Sequence, residues 1–165
     1  LDLGRDDLDA IPDAHFDVVL FSHVIEHLTN GLEAPAALSR KVKPGGYIYV
    51  ETPSLRSFAV PRSRRHHSHF CDDTTHVRFF ELASMINVLL DERFRIPRAR
   101  IRRDPVRVAA TPFLILSRTL KGDSWSDGLW DVLGTAQYIY AVRRDAASVR
   151  AAPRPEAAEG ADGAI

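Results

Sequence analysis

Phe16-Asp17-Val18-Val19-Leu20-Phe21-Ser22-His23-Val24-Ile25-Glu26-His27-Leu28 is followed, after a helix-length interval, by Pro44-Gly45-Gly46-Tyr47-Ile48-Tyr49-Val50-Glu51-Thr52-Pro53. Each stretch opens on a short apolar run rich in β-branched and aromatic residues. Neither run alternates strictly, which predicts strands covered on both faces of a sheet. A helix is predicted to begin near Val24, and a second over about Leu32 to Lys41, with Leu32, Ala36, Leu38 and Val42 on its apolar side. Pro44-Gly45-Gly46 reads as a turn. The pattern is therefore strand, helical crossover, turn, strand, with parallel neighbours joined right-handedly. In open α/β sheets ligands sit beyond the carboxyl ends of the strands. Ser22, His23, Glu26 and His27 crowd the tip of the first.

Working outward, residues 4–15 read as a polar loop, and 54–69 as a long basic loop of the length that carries function. Leu82, Met85, Ile86, Leu89 and Leu90 recur at helical spacing between Glu81 and Leu90. Arg95 to Arg103 alternates weakly, as a strand does. Val106 to Leu120 is apolar and predicts a helix broken at Pro112. Ala136 to Val142 predicts a final strand. From residue 146 the chain is alanine, proline and acid, with little to bury, which predicts a disordered tail over 146–165.

The order of these pieces resembles the class I S-adenosylmethionine-dependent methyltransferases, of the type 11/23 kind. The resemblance rests on an acidic residue ending a short strand (Asp2-Leu3), Ile11-Pro12, Phe16 to Leu28, and Lys43 to Pro53. Asp72-Asp73-Thr74-Thr75-His76-Val77-Arg78-Phe79-Phe80 is similar to a stretch in one branch of these enzymes. The resemblance covers residues 1–145. It implies a Rossmann-like α/β sheet, mostly parallel with an antiparallel last strand, and S-adenosyl-L-methionine as cofactor. It also implies that Asp2 and Leu3 meet the adenine, with Asp7 as the alternative to Asp2, and that the cofactor extends across Ser22 and His23. His76 falls where a pocket-facing histidine is expected, either a general base or a scaffold residue. The chain departs from the family at one point. No G-x-G-x-G turn occurs, since Gly4 is followed by no further glycine until Gly31. Leu1-Asp2-Leu3 therefore aligns with the family's third strand, and residues 1–145 read as the carboxyl-terminal two-thirds of such a domain, with its first strands and glycine-rich turn missing.

His23-Val24-Ile25-Glu26-His27 also matches H-x-x-E-H, the inverted zinc-protease helix. That motif needs a mid-helix position, whereas His23 directly follows a strand. Some quinone-pathway O-methyltransferases bind a divalent cation at a similar Glu-x-x-Glu-His tip. Here the expectation is that Glu26 and His27 shape the pocket floor, and no metal is assigned. The cluster His66-His67-Ser68-His69-Phe70-Cys71, with Asp72, Asp73 and His76, is dense in metal-ligand types but matches no standard zinc spacing.

Composition narrows the rest. The net charge is zero, so no global field favours nucleic acid or anionic lipid. One cysteine, Cys71, excludes an intrachain disulfide and suits a reducing cytoplasm. No apolar stretch is long enough for stable membrane insertion. The expected partner is a small-molecule acceptor, with Arg65, His69, His76, Arg78, Phe113 and Leu116 around its pocket. The competing readings are a non-catalytic methyltransferase-like interaction domain and a histidine-rich metal-binding module.

Overall fold

The computed structural model describes residues 3, 8–60, 62, 69–121 and 130–145. The expectations placed on Asp2, Asp7, Arg65 and the tail at 146–165 lie outside these residues.

The first quoted run forms β1 (Phe16–Ser22) and the second lies within β2 (Val42–Pro53), paired in parallel from Val18 against Tyr47 to Ser22 against Glu51. Between them runs α1 (Glu33–Lys41). The predicted turn at Pro44-Gly45-Gly46 is instead an outward bulge inside β2. Phe16 pairs with Val42 and Val18 already with Tyr47, so one residue of β1 faces four of β2. Gly45 takes a φ of 80°, and a Cβ on Gly46 would stand 2.6 Å from the Asp17 carbonyl oxygen. Only glycine allows both the left-handed turn and that backbone approach.

After β2 come α2 (Leu82–Asp91), β3 (Phe94–Ile101), α3 (Pro105–Leu120), α4 (Trp130–Leu133) and β4 (Ala136–Arg143). The strand order is β1-β2-β4-β3, and β4 runs antiparallel to both neighbours. Three strands therefore point one way and the last opposes them, as the expected fold requires.

The core lies on one face. Phe21, Ile48, Val50, Ile139 and Ala141 pack with Leu38 of α1 and with Met85 and Leu89 of α2. Ile48 and Ile139 are fully buried, and each such side chain contributes about 1.5–3 kcal/mol. The opposite face carries Val18, Leu20, Tyr47, Tyr49, Tyr138 and Tyr140, and Leu20 is 71% exposed. The expectation that both faces of these strands are covered thus fails among the described residues. Apolar runs without alternation do not reveal whether the second cover lies within the same stretch of chain.

α3 is also one continuous helix, not two. Asp104 caps it by accepting from the amides of Val106 and Arg107, and Pro105 fits the first turn. Pro112 costs one hydrogen bond but is exposed, and Thr111 donates to the Arg107 carbonyl at 2.8 Å.

Candidate functional site

β1 and β2 end side by side, and the chain turns sharply at the tip of β1. His23 has a φ of 52°, a left-handed conformation that costs a non-glycine residue about 1–3 kcal/mol and persists only where its surroundings enforce it. Its amide donates to the Glu51 carbonyl at 2.8 Å. Its ring is clamped as well. Nδ1 lies 3.1 Å from Glu26 Oε1, and Nε2 lies 3.4 Å from Glu51 Oε1. The hydrogen bonds to Glu26 and Glu51 push the His23 imidazole up to about 9, against the opposing effect of burial. His23 is thus an imidazolium at neutral pH, with both nitrogens donating.

Each carboxylate has further partners. Glu26 is fully buried and accepts from Thr52 Oγ1 at 3.3 Å. Glu51 accepts from the Tyr49 hydroxyl and lies 3.6 Å from Arg102 Nη1. Burial would raise the Glu51 carboxyl, but its bonds from His23 and Tyr49 and the charge of Arg102 hold it below the ordinary value. Two cations thus face two carboxylates at the strand tips. The short 3₁₀ turn Ile25–His27 follows. The helix expected from near Val24 is thus a single turn, ended by the extended backbone of Leu28, and it is too brief to set His23 and His27 one α-turn apart as the zinc-protease helix requires.

The linkage has a definite sign. A histidine raised from 6.5 to about 9 on folding stabilises the fold fully below pH 6.5, and that contribution is lost as pH rises through 9. Thermal melts of the wild type and His23→Gln should therefore differ most near pH 6 and converge toward pH 10. A gap that stays constant over this range would mean that His23 is neutral in the fold.

The second part of the site comes from the segment after Cys71. The amides of Val77 and Arg78 donate to the Glu26 carbonyl at 2.9 and 3.3 Å, which lays residues 73–78 against the strand tip. His76 stacks beside His27, with ring centroids 4.8 Å apart, and beside Phe70 at 4.7 Å. Phe58 continues the row, 5.0 Å from Phe70. The hydrogen bonds fix both tautomers. His76 Nδ1 is 2.8 Å from the Phe70 carbonyl, which can only accept, so Nδ1 carries the proton. The Thr75 hydroxyl gives its single proton to Asp73 Oδ1 at 2.5 Å. It therefore accepts from His27 Nδ1, 2.9 Å away. Nδ1 of each ring is thus a donor, and the other ring nitrogen of His76, Nε2, lies 3.9 Å from Asp73 Oδ2.

The residues expected from the sequence fall into three groups. Ser22, exposed, and His23 stand together at the strand tip. Leu3 is partly buried, and its carbonyl accepts from Asn30 Nδ2 at 2.9 Å. His76 joins Glu26 and His27. His69 has a different role: its Nδ1 accepts from the Cys71 amide, capping the 3₁₀ turn Phe70–Asp72. Phe113 and Leu116 are exposed on α3, whose main packing partner is α4. Glu51 and Thr75 were not singled out from the sequence, and Asp73 only as one of the metal-ligand types beside the histidine cluster. Only the Asp-x-Thr spacing of Asp73 and Thr75 signals a local turn. A groove of about 460 Å³ lined by Tyr49, Pro97, Arg98, Tyr138 and Tyr140 lies on the open sheet face and borders the tip only through Tyr49.

No helix of the described residues is long and apolar enough to cross a membrane. Residues 4–94 match a family model described as a methyltransferase domain. An S-adenosylmethionine-dependent methyltransferase from Mesorhizobium loti is similar in structure, with a TM-score of 0.54 at 15% identity, over 87% of this chain and 67% of that one. So is one from Archaeoglobus fulgidus, with a TM-score of 0.54 at 20% identity, over 82% of this chain and 63% of that one. The chain thus spans about two thirds of the length of these structures. No curated protein matches it.

Proposed function

Because this chain belongs to the methyltransferase-domain family, we propose that it takes part in transferring the methyl group of S-adenosylmethionine to a hydroxyl of a small-molecule acceptor. The observation that carries the reading is the meeting, at one pair of strand tips, of the clamped His23 and the His76 ring, which is held by Nδ1. The residues present fit the nucleoside end of the cofactor. Leu3 has its carbonyl tied to Asn30, and its amide is proposed to meet the adenine ring. Asn30 Oδ1 is buried without a partner among the described residues, an acceptor beside the segment that would meet the adenine amine. Asp2 is the further acceptor for that amine, and Ser22 and His23 would border the rest.

The cofactor, when bound, supplies a methyl on a cationic sulfur whose in-line displacement needs alignment more than acid–base power. The chain's own part is to hold the acceptor and take its proton. His76 Nε2 is the basic atom available for that, and a proton transfer of this kind contributes about 10²–10⁴-fold. The row His27, His76, Phe70, Phe58 offers an aromatic wall, which suits an acceptor with a hydroxylated head and a greasy body, such as a quinone precursor, a lipid or a glycoside. Arg65, Arg78, Phe113 and Leu116 are proposed to border the same acceptor.

The test is calorimetry with S-adenosylhomocysteine. We expect this chain to bind more than tenfold more weakly, by over about 1.4 kcal/mol, than a version extended upstream to include a G-x-G-x-G turn. Submicromolar binding by residues 1–165 alone would contradict the reading of residues 1–145 as the carboxyl-terminal two-thirds of the domain. No binding by either form would favour a non-catalytic interaction domain.

A further inference from the structure

We propose that Glu26, His27 and His76 form a binding site for one divalent first-row transition cation, zinc in the first instance, on the floor of the acceptor side. One ligating atom from each of the three lies within 4.8 Å of the others. Tetrahedral zinc, with bonds of about 2.0–2.1 Å, sets its ligand atoms about 3.4 Å apart, so side-chain rotations have roughly 1.4 Å to close.

Proximity alone would be weak evidence, since such groups often gather without an ion. The outer contacts supply the second argument. A histidine that ligates a metal donates its other ring N–H to a carbonyl, a carboxylate or a group relaying to one. His76 Nδ1 donates to the Phe70 carbonyl at 2.8 Å. His27 Nδ1 donates to Thr75 Oγ1 at 2.9 Å, and Thr75 in turn donates to Asp73 at 2.5 Å. Both rings are thereby held by Nδ1, which leaves Nε2 as the nitrogen that would meet a cation. The Glu26 carboxylate is oriented in the same way, by His23 Nδ1 at 3.1 Å and Thr52 Oγ1 at 3.3 Å. All three ligands thus have partners holding them from behind.

The same geometry excludes His23, whose two nitrogens are engaged by Glu26 and Glu51. The site therefore spans the strand tip and the segment 73–78. It is not the contiguous His23, Glu26, His27 trio that the sequence offers. Two imidazoles and one carboxylate suit zinc, cobalt or manganese, whereas magnesium and calcium prefer all-oxygen sets. Three protein ligands leave a fourth position open. This deepens the methyl-transfer reading. An acceptor hydroxyl on the ion would lose its proton to water directly, and the His76 lone pair would then hold the cation and no longer take the proton.

The test is a zinc titration of the full chain after dialysis against a chelator, followed by calorimetry and by metal analysis of the gel-filtered protein. Neither cofactor nor acceptor is present, so its failure leaves the methyl-transfer proposal standing, and absence of S-adenosylhomocysteine binding leaves this one standing. We expect one zinc per chain. His27→Gln and His76→Gln, each with an unchanged circular dichroism spectrum, should bind about 100-fold more weakly. Thr75→Val, which removes only the outer partner, should lose about 10- to 100-fold. His69→Ala, at a capping position, should bind as the wild type. Unchanged affinity in both His27→Gln and His76→Gln would place the ion on other histidines and overturn the proposal, as would zinc uptake below one tenth of an equivalent.

Discussion

Glu26→Ala should destabilise the fold by about 3 kcal/mol, the lower end of the range for breaking a buried charge pair. Glu26 is fully buried, and its carboxylate holds the His23 ring at 3.1 Å and the Thr52 hydroxyl at 3.3 Å. Without it a cation and a buried hydroxyl each lose a partner, and the left-handed turn at His23 loses part of what enforces it. The value stays at the lower end because the His23 side chain is 37% exposed and still reaches water. Urea unfolding measures the change as a shift in midpoint at constant slope. Glu26→Gln should cost less, since the amide oxygen can still accept from one partner. A loss below about 1 kcal/mol for Glu26→Ala would mean that the strand-tip charges are solvated.

His76→Ala, made in a version extended upstream and shown to be active, should lower turnover by about 10²–10⁴-fold. Affinity for S-adenosylhomocysteine should stay within about twofold. The ring lies beside His27 and Phe70 in the segment laid against the strand tip. Loss is expected whether Nε2 takes the acceptor's proton or holds a cation that acidifies it, and the zinc titration separates the two. Turnover equal to that of the wild type from pH 6 to 9 would reduce His76 to a scaffold residue.

Much of this architecture was legible in the sequence because strand tips and crossovers leave local marks. The run from Phe16 and the run from Tyr47 became a parallel pair, and Ala136 to Val142 became the opposing last strand. The bulge at Lys43–Gly46 was read as a turn because a glycine pair marks a tight backbone without saying whether pairing resumes on the same strand. The open face of Leu20 and Tyr49 was hidden for another reason. A strand's own residues do not state what covers them. At the site, Ser22 and His23 could be placed from the end of an apolar run. The clamp on His23 could not, because Glu51 reaches it only through the register of Ser22 against Glu51. Nor could the tautomers of His27 and His76 be read, since the first depends on Thr75, 48 positions away in the chain, and the second on the Phe70 carbonyl.

The central claim is that the cofactor meets this chain at the tips of β1 and β2. Isotope-edited amide spectra of the chain, recorded with and without S-adenosylhomocysteine, test it most directly. The largest changes are expected at Leu3, Ser22 and His23, with smaller ones at Asn30 and Glu51. Little is expected at Ile96 or in the first turn of α3. Changes centred on the tyrosine groove of the open sheet face, with Ser22 and His23 unmoved at saturation, would contradict it.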